Sequence, residues 1–150
     1  MNIHPAKVDD LPDILALLKA SALPVAGIDE HVETTIIARD KGKIMGCAAV
    51  EVYGQAGLLR SLAVDAGRRG EGLGERLTKA ALELARQRGV RTVYLLTTTA
   101  SHFFPRFGFT HTTRAAVPDV VKTSAEFQGA CPETAVVMTR RVGAAARARQ

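Results

Sequence analysis

The stretch "LLRSLAVDAGRRGEGLGERLTKAALELARQRG", residues 58–89, constrains the fold more than any other. Residues 58–64 form an apolar run that reads as a strand. Leu73, Leu77, Ala80 and Leu84 recur on one face of a helix that Gly89 ends. Between them lie Arg68, Arg69, Gly70, Gly72 and Gly74. A helix start exposes unpaired N–H groups and the positive end of the helix dipole. Glycines let the backbone approach an anion closely, and arginines add charge. Three glycines in five residues cost backbone entropy, which favours an anion site for phosphate or pyrophosphate over a plain turn. Two nucleotide loops are excluded on detail. Gly74 is followed by Glu75 rather than Lys-Ser/Thr, and the spacing is G-x-G-x-G rather than G-x-G-x-x-G.

The flanking sequence sets the rest of the fold. "NIHPAKV" reads as a first strand, and Asp9 or Asp10 caps a helix that buries Leu11, Ile14, Leu15 and Leu18. Pro24 and Gly27 break residues 21–33, with a short helix near Asp29. A hairpin follows, with strands at 34–39 and 43–53 around Asp40-Lys41-Gly42. A turn occupies residues 54–57. "RTVYLLTTT" is a near-continuous apolar run, as for a strand covered on both faces. A short helix around 100–106 and a last strand in "TAVVMTRR" complete the pattern. A meander followed by a β-α-β crossover predicts an α/β domain with a mixed sheet flanked by helices.

Charge and cysteine content narrow the function. At 150 residues the chain is one domain by length, at 1–142, with a basic, disordered tail at 143–150. The net charge of +5 owes four charges to Arg140, Arg141, Arg147 and Arg149; the remaining 16 basic residues nearly balance 15 acidic ones. Nucleic-acid binding is therefore not expected. No run of about 18 apolar residues suggests a membrane span, and the N-terminus lacks a signal peptide's pattern, so a cytoplasmic protein is expected. Cys47 and Cys131 have no Cys or His at metal-ligand spacing, so reduced core thiols and no metal are expected.

"RGEGLG", 69–74, resembles the Arg/Gln-x-x-Gly-x-Gly/Ala signature of the GNAT N-acetyltransferase superfamily. "IHPAKVDDLPDILALL", "ARDKGKIMGCAAV" and "HFFPRFGF" resemble that family's other motifs, in order. The resemblance covers residues 2–142. It implies a GNAT fold of about six to seven strands, splayed between 58–64 and 91–97. It also implies acetyl-CoA as donor and a homodimer, which is common in the family. The backbone of Leu62, Ala63 and Val64 would pair with the pantetheine arm and polarise the thioester carbonyl. Arg68, Arg69, Gly70, Glu71, Gly72, Leu73 and Gly74 would surround the pyrophosphate, with Thr97 and Phe104 near the cofactor.

Acetyl transfer to an amine needs a base, because an amine near pKa 10 is mostly protonated at neutral pH. Many family members place a tyrosine as acid where this chain has Phe104. His102, Ser61 and Glu51 are the catalytic candidates, with Tyr53 a weaker acid. "YLLTTTASHFFPRFGFTHTTRAAVPD" resembles the acetyltransferase domain of bacterial N-acetylglutamate synthases and the short acetyltransferases beside arsenic-resistance genes. That resemblance implies a small acidic amino acid or analogue as acceptor, with Arg60, Arg106 or Arg114 binding its carboxylate. "SAEFQGACPETAV" departs from the synthases at that point, leaving glutamate open against an amino-acid-like toxin. A protein or peptide acetyltransferase and a non-catalytic acyl-CoA-binding regulator are the competing readings.

Overall fold

Lys41 and Gly42 both take left-handed φ values, 53° and 80°, and reverse the chain in two residues. Such a turn matches the twist of the strands it joins. It connects β2 (Thr35–Asp40) to the eleven-residue β3 (Lys43–Tyr53). The computed structural model describes residues 1–143; the tail expected from 143 lies, beyond its first residue, outside the described residues. The other strands are β1 (Asn2–Pro5), β4 (Ala56–Val64), β5 (Thr92–Thr97), β6 (Thr110–Thr112) and β7 (Val136–Arg141). They form one seven-stranded sheet in the order β1-β2-β3-β4-β5-β7-β6. Only β4 and β5 run parallel, joined across the sheet by helix α2 (Leu73–Gln87). The expected mixed sheet and crossover are present.

Helix α2 covers one face. Its buried side is Leu73, Leu77, Thr78, Ala81, Leu82 and Ala85, packed with Ala48, Val50 and Leu59 of the sheet. Ala80 and Leu84, expected on that side, are only partly buried at its margin. The helix sits so close that a Cβ on Gly46 would meet the Leu77 side chain at 2.7 Å. Helix α1 (Leu11–Ala20) covers the opposite face with the 3-10 turn Ile28–Thr34. It buries Ile14, Leu17 and Leu18, while Leu11 and Leu15 are only partly buried.

The rest of that second face is covered by short turns between residues 114 and 130, which bury Leu58, Val117, Val121 and Val137. This thin cover changes the expectation for β5. Val93, Leu95 and Thr97 are buried beneath α2's side, but Thr92, Tyr94 and Leu96 are half-buried. The strand is covered unequally because one face meets a helix and the other only turns.

Two features of β4 create the site. Its pairing with β5 runs only from Ala56↔Thr92 to Leu58↔Tyr94, after which the strands part. Ser61 then adopts φ 61°, a left-handed value that strains a residue with a side chain. On β3, Ala49 pairs with Arg60 and Cys47 with Ala63, so Ala48 faces two residues of β4. This is a β-bulge, and it reverses the strand's alternation. Before it, Arg60 shares a face with Glu51; after it, Ala63 takes the α1 face and Leu62 and Val64 turn toward α2's core. The sequence pattern gave no sign of the bulge.

Candidate active site

Two cavities open where β4 and β5 separate. The larger, about 780 Å³, runs along Leu62, Ala63 and Val64 to Arg68, Arg69, Gly70, Gly72, Leu73 and Gly74. Gly70 and Gly72 have φ 83° and 81°, and the space where a Cβ would project is open at both. Gly72 is the N-cap of α2, so the helix's first N–H groups are presented at the cavity. Asp65 N–H donates to the Met45 carbonyl across β3 (2.7 Å). Strand alternation therefore turns the Val64 and Leu62 N–H groups the other way, into the gap left by β5. An exposed strand edge continuous with an open helix N-terminus fits an extended ligand ending in phosphates.

The arginines here differ. Arg68 pairs with Asp40 and lies 3.5 Å from Glu71, so carboxylates already offset its charge. Arg69 contacts only the Val64 carbonyl, at 3.4 Å, among the described residues. Glu71, expected in the pyrophosphate shell, is exposed and lies outside the cavity lining. His102 is exposed on the wall of this cavity, beside Phe103 and Arg106. The Arg106 guanidinium stacks 4.8 Å from the Phe103 ring. Arg106 thus stands with the glycine loop rather than with Arg60, contrary to its expected acceptor-binding place.

The second cavity, about 460 Å³, lies deeper between the strands. Arg60, Ser61, Thr97, Phe104, Glu126 and Cys131 contribute to its wall. The two cavities share Leu23, Leu62, Thr99 and Ala100 as lining residues, so they meet at the bulged end of β4. Phe104 is buried against Phe109, with ring centroids 5.7 Å apart. The Thr97 hydroxyl accepts from Ala100 N–H (2.9 Å) and fixes the turn leaving β5.

Arg60, expected as a free carboxylate clamp, is instead the hub of a buried ionic cluster. Its side chain is 0% exposed. Nη1 donates to Glu51 Oε2 at 2.8 Å, Nε to Ser61 Oγ at 3.0 Å, and Nη2 to the Pro24 carbonyl at 3.4 Å. Nε also lies 3.5 Å from Glu126 Oε2. Glu51 is 1% exposed and lines neither cavity, so it does not act on the acceptor through water as expected. Burial alone would raise its pKa. Hydrogen bonds from Tyr53 and Arg60, helped by Ser124 and the charge of His31, outweigh burial and hold it below the usual range. Tyr53 is pushed up by burial and by Glu51, remains a phenol, and lines neither cavity. Ser61 lines the deeper cavity, and its Oγ accepts from Arg60 Nε. Arg114 lies over Phe127 and bonds the carbonyl of Pro132, a residue of the deeper cavity's wall, without lining either cavity itself.

The sequence does not mark Glu126 as a site residue, and Cys131 reads there only as a reduced core thiol. Glu126 is pushed up to about 7 by burial, against the charge of Arg60 and with that of Glu51. Cys131 is not a core thiol; it stands in the deeper cavity and is pushed up to about 12 by burial and by Glu126. Cys47 is buried, as expected, with its thiol on the Ser61 carbonyl at 3.2 Å. No carboxylate-thiol-imidazole group among the described residues could hold a metal. No helix among them is long and apolar enough to cross a membrane.

Residues 31–111 match the family model described as "Acetyltransferase (GNAT) domain". An uncharacterised N-acetyltransferase of Chlorobaculum tepidum is 33% identical over 119 residues, 77% of this chain and 76% of that protein. An amino-acid acetyltransferase of Ralstonia nicotianae is 31% identical over 128 residues, 78% of this chain but only 28% of that longer protein. A Mycobacterium tuberculosis protein solved in complex with CoA superposes with a TM-score of 0.81 at 25% identity, covering 95% of this chain and 100% of that one. The matched segment holds the strand, bulge and glycine loop that build the larger cavity, and the chain belongs to the GNAT family of acetyltransferases.

Proposed function

We propose that this acyltransferase moves an acetyl group from acetyl-CoA to the amino group of a small amino-acid-like acceptor. The observation that carries this is the junction of the two cavities at Leu62. One offers an open strand edge and a helix N-terminus, and the other a closed, partly ionic chamber. Acetyl-CoA supplies an acetyl group already activated as a thioester. Gly70, Gly72, Gly74 and Arg69 hold the pyrophosphate, and the N–H groups of Leu62 and Val64 bind the arm along β4. One of those N–H groups, fixed by the sheet, faces the oxygen that gains negative charge as the new bond forms. Phe103 and Phe104 keep water from the junction.

The chamber's size matches one small molecule and not a peptide chain laid across the surface. That favours a free amine over a protein acceptor. The name of the Ralstonia relative supports an amino-acid-like compound. A glutamate-like molecule or an amino-acid toxin belongs to that class. In the same reading the enzyme works in the cytoplasm as a homodimer, and its sedimentation mass tests that assembly. Activity is tested by thiol release from acetyl-CoA in the presence of free amino acids, simple amines and short peptides. Release with free amino acids supports the reading, and release with peptides alone would replace it.

A further inference from the structure

Resting on the amine-acceptor reading, we infer that Glu126 receives the acceptor's ammonium group, takes its proton, and biases the enzyme toward acceptors without an acidic side chain.

Three observations carry this. First, Glu126 is buried in the wall of the deeper cavity, which opens at Leu62 onto the acetyl-CoA cavity. Second, one guanidinium serves two carboxylates. Arg60 is held by Glu51 at 2.8 Å and stands 3.5 Å from Glu126. Every guanidinium nitrogen already has a protein partner. Third, among the described residues Arg60 is the only cationic side chain lining this chamber. Inside the chamber the cluster therefore sets two carboxylates against one committed guanidinium; the His31 imidazole, 3.6 Å from Glu51, lies outside the cavity lining. An ammonium group satisfies that surplus, whereas a side-chain carboxylate adds repulsion in a site of low dielectric.

The groups facing Glu126 are Arg60 from β4, Glu51 from β3 and the Cys131 thiol from its own segment. Ser124 Oγ accepts from the Glu126 N–H at 3.1 Å and fixes the turn that carries it. Burial brings this carboxylate to about 7, near the pH at which a base works best. The reaction balances as follows. Glu126 takes one proton from R–NH₃⁺ and later releases it to water. The amine's lone pair forms the N–C bond, and the C–S bond breaks with its electron pair going to sulfur. A second proton passes from the nitrogen to that sulfur. The sum is one amide, one thiol and one released proton.

The test uses wild type, Glu126→Gln and Glu126→Asp. The probes are glycine, alanine, glutamine, glutamate and the corresponding α-amides, each with acetyl-CoA and read as thiol release from pH 5.5 to 9. Calorimetry measures acetyl-CoA affinity alongside. We expect glutamine to exceed glutamate, and amidation of the α-carboxyl to leave kcat/KM unchanged or higher. With the best probe, Glu126→Gln should lose about 100-fold or more in kcat/KM and lose the acid limb near pH 7, with acetyl-CoA affinity unchanged. Glu126→Asp should recover part of the loss. An active wild type matched within threefold by Glu126→Gln, with the same acid limb, would overturn this inference alone. Preference for glutamate over glutamine would overturn its specificity. A wild type that binds acetyl-CoA yet turns over none of the probes would overturn the amine-acceptor reading and this inference with it.

Discussion

The two cavities are built on opposite principles. The larger cavity, proposed for acetyl-CoA, offers backbone from residues 62–74, a strand edge, two left-handed glycines and a helix start, beside the side chains of His102, Phe103 and Arg106. The chamber behind it is mostly side chain, gathered from β4, β5, the loop near Pro24 and the turns from 126 to 135. Backbone sites depend on local conformation and tolerate changes in neighbouring side chains. Side-chain clusters depend on mutual neutralisation, so one substitution disturbs every member. The same comparison predicts where stability and binding separate.

The largest effect falls in the chamber. Arg60→Leu removes the guanidinium shared by Glu51 and Glu126, and should cost about 3 to 5 kcal/mol of folding stability. Urea unfolding measures it; a midpoint close to wild type would mean that the cluster is not the tightly neutralised unit described. The matching change in the groove, Arg69→Ala, should leave stability within about 0.5 kcal/mol while weakening acetyl-CoA binding.

Glu126→Gln sharpens the contrast in the other direction, because it should stabilise the protein at pH 8. The group's folded pKa is raised from 4.5 to about 7. Below pH 4.5 both folded and unfolded states hold the proton, so the substitution changes little. Between 4.5 and 7 the folded wild type keeps a proton that the unfolded chain has lost, and its stability falls as pH rises. Above 7 the deficit is complete, at most about 3.4 kcal/mol at 1.36 kcal/mol per unit. The gain in melting temperature for Glu126→Gln should therefore appear at pH 8 and fade toward pH 4.5. A gain independent of pH would assign it to packing.

Gly72→Asp tests the groove by its backbone. A side chain at φ 81° costs about 1 to 2 kcal/mol of strain, and its carboxylate opposes the phosphates. Losing one charge-assisted contact worth about 1.5 to 3 kcal/mol should weaken acetyl-CoA binding roughly 10- to 150-fold. Calorimetry with unchanged affinity would remove the pyrophosphate from this loop. The smallest effect is expected from Phe104→Tyr. A thiol near pKa 8.5 leaves without a dedicated acid, so turnover should stay within about threefold. A folded but inactive variant would show that Phe104 shapes the chamber.

The same contrast explains what the sequence disclosed. The glycine loop could be read as a candidate anion site because it consists of consecutive residues whose types have few other uses at a helix start. Both helices and every strand but the short β6 were legible, although α2's buried side was set one residue off, on Ala80 and Leu84 instead of Ala81 and Ala85. The chamber was not legible. Arg60 read as a free clamp because nothing in sequence places Glu51 and Glu126 beside it. The bulge at Ser61, which puts Arg60 and Ala63 on one face despite their odd spacing, leaves no mark on an apolar run. Glu126 sits in an aperiodic segment, and only the fold brings it beside Arg60 of β4 and the charge of Glu51 of β3.

The most direct test of the account is a crystal structure with CoA bound. The account predicts pyrophosphate oxygens on the backbone N–H groups of residues 69–74 and the pantetheine arm along Leu62–Val64. The thiol should end between Leu62, Thr99 and Ala100, facing the chamber of Arg60 and Glu126. A thiol directed away from that chamber, or a pyrophosphate bound elsewhere, would contradict it.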